Sequence, residues 1–176
     1  REEEVMKELD REIEEVLERS REIVERLRRE IEEVLKENKK IVETLKREIK
    51  KVLREVREKV DSKDARRAEE IIERLERRVE ENEKRVKEII DELRKLVKRA
   101  LEESEKSIRE LKDRVRKLGG SEEAVKRIRD ILEKDERDVR EVVRRIREIL
   151  KASLEDSERS VEEIRRILDE LRKEVE

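Results

Sequence analysis

Ile23-Val24-Glu25-Arg26-Leu27, continuing through Ile31, Val34 and Leu35 to Asn38, is the stretch whose reading decides the fold. Eighteen residues later the pattern returns as Ile41, Val42, Leu45, Ile49, Val52 and Leu53, with Val56 where Asn38 stood. Eighteen residues earlier it is Val5, Met6, Leu9, Ile13, Val16 and Leu17, followed by Ser20. At 100° per residue, with Ile23 at 0°, Leu27 falls near ~40°, Ile31 near ~80°, Val34 near ~20°, Leu35 near ~120° and Asn38 near ~60°. The apolar stripe is therefore about 120° wide, too wide for a two-stranded coiled-coil seam and suited to a helix that packs against two neighbours. One helix is expected from about residue 2 to residue 60.

The same period organises the rest of the chain. Ile71-Ile72 maps onto Ile89-Ile90 and then Ser107-Ile108, Leu75 onto Leu93 and Leu111, and Val79 onto Val97 and Val115. Beyond Gly119-Gly120-Ser121, Val125, Val143 and Val161 repeat, as do Ile128, Ile146 and Ile164, and Ile131-Leu132, Ile149-Leu150 and Ile167-Leu168. Asp61-Ser62-Lys63-Asp64 breaks the pattern with N-cap side chains. Gly119 suits the left-handed position that ends a helix, and Ser121 can cap the next one. Helices of about 2–60, 63–118 and 122–175, with turns at about 61–62 and 119–121, are expected to form a single bundle over 1–176. The fold class is all-α: an up-down-up three-helix bundle of long, nearly straight antiparallel helices. Straightness follows from the period. A heptad imposes a left-handed supercoil and an 11-residue repeat a right-handed one, whereas eighteen residues in five turns matches the straight helix of 3.6 residues per turn.

Composition bounds the function. Of 176 residues, 60% are charged and none is aromatic, but 52 basic and 54 acidic side chains are interleaved to a net charge of −2. Such a surface carries no basic face and no stacking ring for nucleic acid. No stretch approaches the ~20 apolar residues of a membrane span, and no targeting signal is read at Arg1-Glu2-Glu3-Glu4, so a soluble chain of unknown compartment is expected. Without histidine or cysteine, the usual zinc ligands, catalytic bases and thiol nucleophiles are missing. Carboxylate pairs one turn apart are abundant, but most have a basic neighbour and read as solvated ion-pair faces. No cofactor, metal or enzymatic activity is expected.

The informative departures are polar residues on the stripes. With the chain folded at its two turns, Ser20, Ser104 and Asp135 fall at one height with Ser107 close by. Asn38, Asn82 and Ser157 fall at another, with Ser153 and Ser160 within a turn. The reading is two hydrogen-bonded layers in an aliphatic core, with Asp135 able to accept from Ser20, Ser104 and Ser107, and with helix register as their purpose. Burial is expected for Asn38, Ser20, Ser104 and Ser157, with Ser107 and Ser160 at stripe edges. Thr44 lies outside the stripe and should be exposed.

Taken together, the copied helices, the Gly119-Gly120-Ser121 linker, the Val/Ile/Leu core and the Glu/Lys/Arg surface resemble de novo designed parametric helical bundles with buried hydrogen-bond networks. The resemblance covers the whole chain. Such bundles commonly also place Gln, His, Tyr or Trp in their networks, and this chain has Asn, Ser and Asp instead. The resemblance implies recombinant cytoplasmic expression and a use as rigid scaffold, as half of a programmed heterodimer, or as a cage with a displaceable last helix. The function expected first is a structural scaffold that requires no partner. The alternatives are self-association or a designed helical partner, with Leu96, Leu101 and Leu154 at the stripe edges, and an amphipathic lipid-surface protein similar to exchangeable apolipoproteins. That last class usually has boundary aromatics and interhelical prolines, and this chain has neither.

Overall fold

The computed structural model describes residues 2–59 and 65–175, with the side chains of Ala65 and Val175 outside the description. Three helices account for nearly all of it: α1 (Glu2–Lys59), α2 (Ala65–Leu118) and α3 (Glu122–Val175). They hold 58, 54 and 54 residues, each an unbroken run of α-helix, and they pack as an all-α three-helix bundle. Strong helix formers fill these runs and no proline interrupts them. The turn expected at residues 61–62 lies outside the described residues.

The second turn forms as its sequence dictates. Gly119 has φ +72°, the left-handed conformation that costs an L side chain but not glycine. Ser121 then caps α3: its Oγ accepts from the Ala124 backbone N–H at 3.2 Å, and its carbonyl accepts from Val125 N–H at 2.9 Å. Glu122 and Glu123 follow in the first turn, where the helix dipole favours negative charge. Replacing Ser121 with Ala removes the acceptor for an otherwise orphaned amide. It should cost about 0.5–2 kcal/mol in urea unfolding, and Ser121→Asp should restore most of that.

Contacts gather the chain into two compact units. Unit 1 draws on residues up to Ile31 together with Glu92–Ile149, and unit 2 on Glu32–Asp91 together with Leu150–Glu176. Each takes one piece of every helix. In unit 1 the core runs through Leu9, Ile13, Val16, Ile108, Leu111 and Ile128. In unit 2 it runs through Val52, Val56, Leu75, Ile164, Leu168 and Leu171. Burial of these side chains, worth about 1.5–3 kcal/mol each, is what holds α1, α2 and α3 together in either unit.

Three residues on the repeating pattern are corrected by their exposure: Ile41 (44%), Leu118 (50%) and Ile149 (41%). Ile41 marks the 0° edge of a stripe whose centre is nearer 60°, so the neighbouring helices cover it least. Leu118 is the last residue of α2, with no following turn to shelter it. Ile149 repeats Ile131 and Ile167, which are themselves only half-buried, so that column is also an edge.

Ion pairs report the alignment of the helices. In unit 1, Arg129 Nε and Nη2 donate to Glu12 Oε2 and Oε1, both at 3.1 Å. Eighteen residues along both helices, Arg147 does the same to Glu30 at 3.0 and 3.1 Å. Both pairs are 117 residues apart. In a heptad coil, with ~3.5 residues per turn about the seam, residues eighteen apart face directions roughly 50° apart. An identical bidentate pair after eighteen residues therefore means that α1 and α3 do not turn relative to each other along this stretch. In unit 2, Arg165 and Glu48 (4.0 Å) hold the corresponding positions. Between antiparallel helices of unit 1, Arg21 reaches Glu105 (3.3 Å) and Lys112 pairs with Glu14. These partners lie about one turn beyond those obtained by counting back from the first turn.

Candidate functional site

Polar core positions interrupt the aliphatic stripes of the described helices, and a site is sought in them or beside them. In unit 1, Ser20 and Ser104 are buried, while Ser107 and Asp135 are half-buried. Ser107 Oγ donates to Asp135 Oδ2 at 2.6 Å, which ties α2 to α3 with a short, charge-assisted hydrogen bond. Counting from the turns set Ser104 level with Asp135; the structure sets Ser107 there, one turn further on. Ser20 and Ser104 make no side-chain hydrogen bond with any described residue, so Asp135 accepts from one of the three hydroxyls considered for it.

In unit 2, Asn82 and Ser157 are buried, and Asn38, Ser153 and Ser160 are half-buried. Ser157 Oγ donates to Asn38 Oδ1 at 3.1 Å, linking α3 to α1. Asn38 was expected to be buried and is less so. The residues flanking it on α1, Val34, Leu35, Ile41 and Val42, are themselves half-buried or exposed, so this part of the stripe is thinly covered. Asn82 and Ser160 form no side-chain hydrogen bond with a described residue. Thr44 is exposed, its hydroxyl donating to the Lys40 carbonyl at 3.0 Å.

The surface electrostatics are local. Glu141, on α3, accepts from Arg144 Nη2 at 2.5 Å and Nε at 3.2 Å. The hydrogen bond from Arg144 is the main reason its carboxyl lies below the usual Glu range, with the charges of Arg144 and Arg145 adding to it. Arg144 is correspondingly raised by Glu141 and then Glu148, and Arg129 by its hydrogen bonds to Glu12. A depressed carboxylate stabilises the fold above its unfolded pKa, near ~4.3, and that contribution is lost as pH falls through the lower folded value. Carboxyl NMR titration should show Glu141 ionising below the usual glutamate range, and Arg144→Gln should raise it back toward that range.

Sequence reasoning missed the bidentate pairs Glu12–Arg129 and Glu30–Arg147. The signal was present: glutamates at 12, 30 and 48 and arginines at 129, 147 and 165 share the eighteen-residue step. Leu96, Leu101 and Leu154 are all half-buried. Leu101 lines an open groove of about 740 Å³ in unit 1, between α1 and α2, with Leu17 and Val24 at its base and five glutamates and three arginines around them. Among the described residues no group of three or more carboxylates converges as a metal site would require, and no helix is long and apolar enough to cross a membrane.

Compared with known families, with characterised proteins and with solved structures, the chain matches none. What the fold and the polar positions define is a class: a three-helix bundle with an aliphatic core and polar residues set into it.

Proposed function

We propose that the chain is a designed structural scaffold without catalytic activity, in which the core polar residues set helix register. The observation that carries this reading is that hydrogen bonds at polar core positions run between helices: Ser107–Asp135 joins α2 to α3, and Ser157–Asn38 joins α3 to α1. Neither pair has the further parts that acyl transfer or acid–base work requires, namely a base oriented by a third group and donors for a developing oxyanion. A hydrogen bond between helices, by contrast, is lost whenever one helix slides by a turn. The test is joint replacement of Asn38, Asn82 and Ser157 with aliphatic residues, read by sedimentation and backbone NMR.

A second reading, partner binding, has the Leu101 groove in its favour. Sedimentation of the chain alone, and mixed with an amphipathic helix carrying lysine on its flanks, separates the two. A scaffold stays unchanged in both runs.

A further inference from the structure

Asn82 is 7% exposed, and its carboxamide has no hydrogen-bond partner among the described residues. Such a group costs about 1–3 kcal/mol if nothing solvates it. Among the described residues no fully enclosed side-chain oxygen or nitrogen lacks a partner, so the carboxamide reaches open space. That space is a cleft of about 230 Å³ in unit 2, between α2 and α3, whose lining includes Asn82 and Ser160. It is large enough for several water molecules at ~30 Å³ each, or for a tetrahedral ion with part of its hydration shell.

The committed and uncommitted groups around the cleft differ in kind. Its three carboxylates are already engaged: Glu81 and Glu163 by Arg78, and Asp156 by Arg85 at 3.0 Å. The uncommitted groups are rich in donors. They are the two amide hydrogens of Asn82, the hydroxyl of Ser160 and the guanidinium of Arg159, which pairs with no described acid. Every carboxylate of the cleft is held by an arginine, while an unpaired guanidinium, an amide and a hydroxyl offer donors to it, which suits a ligand that only accepts. The buried amide at its floor distinguishes it from an ordinary patch of surface arginines.

We propose that this cleft binds a small tetrahedral oxyanion of the phosphate or sulfate type, held by Asn82, Ser160 and Arg159. Three guanidinium and three carboxylate groups leave the cleft neutral, so binding comes from directed hydrogen bonds rather than from net charge, and its affinity is modest. The ion would join α2 to α3 at a height where neither Asn82 nor Ser160 has a side-chain partner on the other helix.

The experiment is a titration of the full chain with inorganic phosphate, followed by ¹⁵N NMR at the Asn82 side-chain amide, with sodium chloride at matched ionic strength as the comparison. Phosphate should shift that amide along a saturating curve and chloride should not. Asn82→Leu should remove the response, read at the neighbouring backbone amides. Because that variant also alters the core, Arg159→Gln provides an independent check on an exposed side chain that cannot unfold the bundle. It should weaken binding by at least about threefold, the loss expected for one charge-assisted contact. Linear shifts that are equal for phosphate and chloride would overturn the proposal, as would a saturating curve unchanged by Arg159→Gln.

Discussion

Leu93→Ala should lower the unfolding free energy by about 2–5 kcal/mol, the range for a buried leucine truncated without collapse of the surrounding core. Leu93 is 0% exposed in unit 1, and Leu75, the residue one repeat earlier, is 0% exposed in unit 2. The same loss is therefore expected for Leu75→Ala. Part of it is the transfer free energy of the deleted carbons, and part is the cavity that remains because the surrounding side chains relax only partially. Ile49, half-buried against the unit 2 core, should cost less, and Ile41, 44% exposed, should fall within about 0.5 kcal/mol of the parent. Urea midpoints for the four variants, with unchanged slopes, would establish that order. If Leu93→Ala and Ile41→Ala melted alike, the stripe would not be the core.

Replacing Asn38, Asn82 and Ser157 together with Leu or Val should leave thermal stability equal or higher and make the structure less unique. Asn82 contributes no side-chain hydrogen bond to the described fold, so an aliphatic residue there gains burial and forfeits no bond. The Ser157–Asn38 bond at 3.1 Å would be lost, but both of its partners go with it, so neither is left stranded. Register is a different quantity. Because the stripes repeat and the glutamate–arginine pairs repeat with them, a slide of one helix by eighteen residues returns similar side chains to similar partners. A one-turn slide still leaves most aliphatic side chains covered. What such slides misplace are the partnered polar positions, Ser157 with Asn38 and Ser107 with Asp135, at about 1–3 kcal/mol for each buried group left without a partner. The triple variant should accordingly show mixed oligomers on sedimentation or a broadened set of backbone NMR signals. A single sharp set of signals with the parent's sedimentation behaviour would show that the aliphatic core and the turns define register without help.

Helix identity, the helix ends at the second turn and the buried face were legible in the residues because each is a local property. The eighteen-residue period sets the azimuth of every side chain on its own helix, so burial at Ser20, Ser104 and Ser157 could be read from angle alone. Gly119 and Ser121 likewise carry their conformations in their covalent structure. The partners within the polar sets were less legible. Asp135 takes its hydrogen bond from Ser107 and not from Ser104, and Asn38 bonds across to Ser157 while Asn82 faces a cleft.

By itself, then, the sequence determined three helices, their second turn and the stripe each one buries, through hydrophobic period and capping chemistry. Only the tertiary structure decided which polar side chains meet, because that depends on the axial offset between helices. A shift of one turn costs the aliphatic stripe little but exchanges Ser104 for Ser107. Only the tertiary structure, too, could show that the guanidinium groups of Arg129 and Arg147 close on Glu12 and Glu30 with matching geometry. A repeat in one helix becomes a repeated contact only when its neighbour runs beside it without twisting away.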